Sequence, residues 1–225
     1  MKTYYLLKTK NIVVMGGLGS GLIVANIIDL LPNMRLMGFL NDRYPVGTNL
    51  GMFKKIPVIG NSKDVHKFIK NEDQYVVLAY KTMKKEKEMW EKYIDMGIPR
   101  EKFINIIHPL AIIPDGYCSM GRGIIMAAGS QLSVDTVISD NCILFANSFI
   151  GHDSRLDKYV TVANNASIGA EVHIGKAVHI GSNCTIKQGV SIGDYSLIGM
   201  GSLILDDVPE NTIVMNEHRN VVIRR

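Results

Sequence analysis

Cysteine is scarce: the chain of 225 residues holds three, Cys118, Cys142 and Cys184, with no C-x-x-C spacing among them. An odd number excludes a complete set of intrachain disulfides, and zinc sites favour closely spaced pairs. Excess charge is lacking too. The formal net charge is +4 at pH 7. The densest basic stretch, KTMKKEKEMWEK at 81–92, alternates acids with bases, which reads as a solvated helix face and not as a nucleic-acid stripe. No apolar run reaches membrane length. The uncharged stretch IVVMGGLGSGLIVANII at 12–28 has 17 residues, holds four glycines and is followed at once by Asp29. A membrane helix needs about 20 apolar residues, and a secretory leader needs a small-residue cleavage site that this run lacks. The expectation is a cytoplasmic protein with no membrane span and no nucleic-acid partner.

What the sequence does have is a rhythm. From Met120, every sixth residue is a large aliphatic: Met126, Leu132, Ile138, Leu144, Ile150, Leu156, Val162, Ile168, Ile174, Ile180, Ile186, Ile192, Ile198 and Ile204. Two places earlier runs a second register of small or β-branched residues, including Ser130, Thr136, Ser148, Ala166 and Val178. All three cysteines fall in it and read as small core residues. A period of six is no multiple of 3.6, so this is not a helix. It predicts short strands separated by turns, three to a triangular coil of 18 residues, with about five coils over 115–205. Glycine often follows the aliphatic, as at Gly151, Gly169 and Gly181. This fits a corner where the chain bends or takes positive φ.

The front half alternates strand and helix. NIVVMGG at 11–17, MRLMGFLND at 34–42 and QYVVLAY at 74–80 read as buried strands, and KFINIIHP as a last strand before the prism. SGLIVANIIDLL has helical apolar spacing, and SKDVHKFIKNED suits a helix with Ser62 as N-cap. The pattern implies a small parallel sheet. GGLGSG at 16–21 is a glycine-rich turn that opens a helix, where free N–H groups and the helix dipole can meet a phosphate. Its spacing is not the full G-x-G-x-x-G, so a tight turn without a ligand stays open. Asp42, at the tip of the second strand, stands about where a dinucleotide fold places its ribose-binding acid.

The aliphatic-Gly-x-x-small-x pattern resembles the hexapeptide-repeat acyltransferases. The glycine turn, FLND, INIIHPLAII and GHD, in that order, resemble the sugar acyltransferases related to sialic acid O-acetyltransferase and the UDP-4-amino-sugar N-acetyltransferase of bacillosamine synthesis. The resemblance implies a Rossmann-like α/β domain over 1–108 that holds a nucleotide-linked amino sugar. A left-handed parallel β-helix over 109–225 would hold acetyl-CoA, with no metal, in a homotrimer. It implies contacts to the nucleotide of that substrate at Gly16, Gly19, Ser20, Asn41 and Asp42, and acyl-CoA contacts at Thr161, Ala170, Ser182 and Met200.

Period-six bookkeeping puts His152 outward, near a corner, two residues after Ile150. Such a histidine is usually plain surface, as expected here for His173, His179 and His66. The resemblance gives His152 the role of general base, taking a proton as an amine attacks the thioester. Asp153 would fix its tautomer, a pairing that needs a corner because neighbours on a flat strand point apart. Ala170 would polarise the thioester carbonyl through its N–H. Three features depart from the relatives: Thr161 where one carries a second histidine, AYKTMKK where they favour a Gly-Asn run, and the tail VMNEHRNVVIRR, whose Arg219, Arg224 and Arg225 could meet phosphates. O-acetylation of a sialic-type sugar and a non-catalytic assembly subunit remain as alternatives. An NAD-dependent enzyme is disfavoured, because no hydride-transfer site accompanies the turn.

Overall fold

The computed structural model describes residues 8–79 and 86–215. Arg219, Arg224 and Arg225, and all of AYKTMKK beyond Ala79, lie outside the described residues.

The front unit is a five-stranded sheet. Strand β1 (Lys10–Met15) lies between β2 (Met34–Leu40) and β5 (Gln74–Leu78), both parallel to it. Because β1 is apolar without alternation, it is buried on both faces. Ile12 and Val14 pack against Val24 and Ile28 of helix α1 (Ser20–Asp29). Val13 and Met15 face Val65 and, from helix α2 (Glu86–Asp95), Tyr93. Two further strands, β3 (Asn49–Leu50) and β4 (Ile56–Gly60), complete the order β3-β4-β2-β1-β5. They form a hairpin at the sheet's edge that the sequence pattern does not announce, since Pro57 interrupts the apolar run of β4 and proline in a run argues against a strand reading.

Two local expectations change. The segment from Ser62 is one stretch of 3-10 helix, Ser62–Lys67, and its cap is Asn61. The Asn61 side chain accepts from the Lys63 N–H at 2.9 Å, and the Asp64 carboxylate accepts from the Asn61 N–H at 3.0 Å, a reciprocal capping box. That frees Ser62 for a different partner. KFINIIHP is not a full strand of the front sheet. Only Phe103 bridges to Val76 of β5, and β6 (Ile106–Ile107) pairs instead with Ile125–Met126 as the first rung of the second unit.

That second unit is a parallel β-solenoid with three faces of five, seven and five strands. The first face runs from Cys118–Met120 to Ser191–Ile192, the second from β6 to Ile213–Val214, and the third from Gln131–Leu132 to Leu203–Ile204. The stack therefore extends beyond 115–205 at both ends. Rungs register at an interval of 18 residues, for example Ile150 with Ile168 and Ile168 with Ile186. Both registers of the repeat point inward: fourteen of the fifteen aliphatics are buried, Met120 alone being half-buried. Cys142 and Cys184 are sealed inside, and Cys118 is partly so. Burial pushes all three thiols up, that of Cys142 to about 12, so none is a ready nucleophile.

The glycines after the aliphatics have a different cause from the one expected. None of Gly151, Gly169 or Gly181 has positive φ. The left-handed residue comes two places later, at Asn147, Asp153, Asn165, Glu171, Asn183 and their equivalents. What requires glycine is the neighbouring coil: a Cβ on Gly151 would stand 2.5 Å from the Gly169 carbonyl carbon, and one on Gly169 would stand 2.6 Å from the Gln188 nitrogen.

The two units share a core. Ile125, Ala127 and Ile143, projecting outward from the second face, pack with Ile12, Val14 and Ile28. Tyr159 and Ala177, from the corner between the first and second faces, join Val13 and Leu78. Above this seam Arg100 grips Asp140 with Nε and Nη2, each at 2.8 Å. Those bonds hold the Asp140 carboxyl below its ordinary range although burial works the other way. His179 also lies on the second face and is buried rather than exposed as expected.

Candidate functional site

The glycine turn leaves β1 and enters α1 through Gly19, whose φ is +71°, with open space around its missing Cβ. No side chain caps the helix, so no cap occupies its first N–H groups, as an anion site requires. Gly17 lies within the glycine turn but not among the expected contacts, and a Cβ there would meet Asn41 Nδ2 at 2.6 Å. Its role is to admit the Asn41 side chain beneath the turn.

Asn41 and Asp42 are engaged within the protein. Asn41 Nδ2 donates to the Gly16 carbonyl at 2.8 Å, and its Oδ1 accepts from the N–H groups of Arg43 and Tyr44. It is buried and staples the end of β2 to the turn. Asp42 Oδ1 accepts from the Ser62 N–H at 2.7 Å; Oδ2 accepts from Ser62 Oγ and from Lys92 Nζ. Burial would raise its carboxyl, but the bonds from Lys92 and Ser62 outweigh it and leave the acid below its ordinary range. The structure thus brings together Gly16, Gly19, Ser20, Asn41 and Asp42 at one end of the sheet.

His152 stands at the corner between the third and first faces, after Phe149–Ile150. Asp153 has φ +57°, and its N–H donates to the Val134 carbonyl of the preceding coil at 3.2 Å. The His152 carbonyl accepts from the Glu171 N–H of the next coil at 2.8 Å. This left-handed step swings the carboxylate back over the ring, and His152 Nδ1 lies 2.6 Å from Asp153 Oδ2. An ionised carboxylate only accepts, so Nδ1 is the donor, and in the neutral ring this tautomer leaves the lone pair on Nε2. The pair is about half exposed, 50% and 55% by side chain.

Ala170 occupies the same corner one coil on. A Cβ added to Gly151 would lie 2.6 Å from its nitrogen, and its N–H has no hydrogen-bond acceptor among the described residues. His152, Asp153 and Ala170 are therefore gathered. Ser182 and Met200 are gathered elsewhere, at the corner between the second and third faces, where the Ser182 carbonyl accepts from the Gly201 N–H. Met200 is 72% exposed, and exposed Leu203 follows it on the third face, an open apolar edge. Thr161 sits on the second face, fully buried, its hydroxyl without a hydrogen-bond partner among the described residues. One chain thus spreads the expected positions over separate edges.

His173, expected to be plain surface, also has a carboxylate partner, with Nε2 at 3.0 Å from Asp157 Oδ2. Among the described residues no group of three or more His, Cys, Asp or Glu is placed to hold a metal, and no helix is long and apolar enough to cross a membrane.

This arrangement, an aliphatic-cored parallel solenoid with an α/β unit docked on one face, is shared with solved structures. Residues 171–206 match the family model "Bacterial transferase hexapeptide (six repeats)". The chain is similar to the acetyltransferase domain of PglB from Neisseria gonorrhoeae: 23% identity over 93% of this chain and 98% of that one, with TM-score 0.79. It is also similar to a mutant perosamine N-acetyltransferase from Caulobacter crescentus, solved with CoA and GDP-perosamine: 20% identity, 91% and 92% coverage, TM-score 0.76. WeeI from Acinetobacter baumannii aligns at 21% identity over 93% and 98%, with TM-score 0.73. No curated protein matches the sequence. The chain carries the transferase hexapeptide repeat, and its fold over nearly the whole length is that of these proteins.

Proposed function

We propose that this protein transfers an acetyl or short acyl group from acyl-CoA to the amino group of a nucleotide-linked amino sugar. The observation that carries the reading is the His152–Asp153 pair, with its free Nε2 directed away from the carboxylate and the unpaired Ala170 N–H one coil above. In this reading the neutral amine attacks the thioester carbon and its proton passes to His152 Nε2. The Asp153 carboxylate steadies the imidazolium. The Ala170 N–H donates to the oxygen as it gains negative charge. Collapse of the adduct breaks the carbon–sulfur bond, and the departing thiolate takes the proton from His152. No covalent acyl-enzyme is needed.

The exposed apolar edge at Met200 and Leu203 fits the pantetheine arm of coenzyme A, with the backbone of Ser182 and Met200 beside it. Thr161, buried where one relative type carries a histidine, would shape the acyl end. The uncapped turn at Gly16, Gly19 and Ser20 would take a sugar-nucleotide phosphate. Asn41 holds that turn in shape, while Asp42 Oδ1, with one hydrogen bond, keeps capacity for a ribose hydroxyl. The left-handed sense of the solenoid, the Rossmann-like character of the sheet and a cytoplasmic location belong to the same reading. So does a homotrimer, in which a neighbouring copy supplies the edge that one chain lacks.

The test is thiol release from acetyl-CoA with UDP- or dTDP-linked 4-amino sugars, set against free and CMP-linked sialic acid. Turnover with an amino sugar supports N-acylation, and turnover with sialic acid alone would replace it by O-acetylation. Absence of acetyl-CoA binding by calorimetry would favour a non-catalytic subunit. Light scattering should give three times the chain mass of 24.9 kDa.

A further inference from the structure

One cleft of the protein is not at either end of the proposed reaction. It measures about 520 Å³ and lies where the amino-terminal ends of β1 and β2 meet the first coil of the solenoid. Lys10 opens β1, whereas the glycine turn follows Met15 at its other end. Five residue steps of strand separate the two, roughly 17 Å.

Three cations line the cleft, Lys10, Arg100 and Arg122, and no carboxylate does. They come from three parts of the fold: the sheet, the connection and the solenoid. Arg100 is largely spent, because its Nε and Nη2 both bond to Asp140. The same carboxylate accepts the Arg122 backbone N–H at 2.8 Å, which fixes Arg122 at the rim. The side chains of Lys10 and Arg122 form no ion pair among the described residues; the Lys10 ammonium only approaches the Tyr75 ring, at 5.9 Å.

The wall between them is rigid. Asn105 donates to the Gly121 carbonyl at 2.9 Å and accepts from the Ile124 N–H at 3.0 Å, so both ends of its amide hold the first coil to the connection. Like charges converging on a concave surface repel unless an anion lies between them. A guanidinium fork and an ammonium suit phosphate oxygens, and ligand pockets commonly measure about 300–1,000 Å³.

We propose that this cleft is a second binding site, for a small phosphorylated molecule bridging Lys10 of the sheet and Arg122 of the solenoid. The site is independent of the acyl-transfer chemistry, and its occupancy ties the two units together.

Calorimetry of the full chain with inorganic pyrophosphate at low ionic strength tests it. The wild type should bind, with affinity falling as salt rises. The double variant Lys10→Gln/Arg122→Gln should bind at least 10-fold more weakly. A double variant Lys63→Gln/Lys70→Gln, which removes the same charge from exposed sites elsewhere, should bind as the wild type does. Circular dichroism of each variant confirms the fold, and Arg122→Lys, which keeps charge but loses the fork, should fall between. No binding by the wild type, unchanged affinity in the Lys10/Arg122 variant, or equal loss in both double variants overturns the proposal.

Discussion

His152 Nδ1 lies 2.6 Å from Oδ2 of Asp153, the next residue in the chain. Neighbours in an extended strand point to opposite faces, so this contact exists only because Asp153 takes φ +57° at a solenoid corner. The backbone conformation and the carboxylate are thus separable by substitution. Asp153→Gly keeps the left-handed step, which glycine adopts without strain, and removes the acid. It should leave the melting temperature within a few degrees of wild type while lowering turnover at least 10-fold. Asp153→Asn, which keeps one acceptor oxygen, should retain more activity than Asp153→Gly. Melting curves and steady-state rates on the three proteins check this.

Glycine at the corners is required by the coil above, and the two kinds of corner glycine should respond differently. Gly151→Ala drives a methyl into the Gly169 carbonyl and should cost about 3 kcal/mol, the upper range for overpacking. Gly189 has φ +77° but nothing within 4 Å of its Cβ position, so Gly189→Ala should cost only roughly 1–2 kcal/mol, the left-handed penalty. Denaturant unfolding of both variants measures the order, and equal losses would contradict the packing explanation.

Asp140 joins the units, and its carboxyl is depressed in the folded state from an ordinary value of 3.8. A group with a depressed folded pKa contributes stability above its unfolded pKa and loses it as pH falls through the folded value. Asp140→Asn should therefore cost about 2 kcal/mol at neutral pH, within the range for hydrogen bonds to charged groups. The gap between variant and wild type should close as the pH is taken below about 4. Thermal melts at several pH values give the comparison, and a gap constant with pH would exclude the ionised carboxylate as its source.

The solenoid was legible because its constraint is strictly periodic: every sixth side chain has nowhere to go but inside, and Met126 through Ile204 obey it. The His152 corner was legible for the same reason, since the register fixes which residues fall outside. Less periodic features were hidden. The ends of the stack are blurred because Ile106–Ile107 and Ile213–Val214 pair on the second face without the flanking repeat. Ser62 looked like a cap, but a cap is chosen by backbone geometry, and Asn61 holds the extended φ that the position needs. Asp42 looked like a free ribose ligand because its partners, Ser62 and Lys92, lie 20 and 50 residues away. His179 looked exposed because the repeat alone cannot say which outward face another unit covers. Gly17 stands in a visible glycine turn, but the need for its small size comes from Asn41 arriving from the end of a different strand.

The most direct measurement is the rate of thiol release from acetyl-CoA, with the amino-sugar nucleotide that the wild type turns over, for wild type and His152→Ala side by side. Removing the proposed base should lower kcat by about 10²–10⁴-fold while the KM for acetyl-CoA stays within a few-fold, because the proposed coenzyme edge is a different corner of the solenoid. Near-wild-type turnover by His152→Ala would contradict the account.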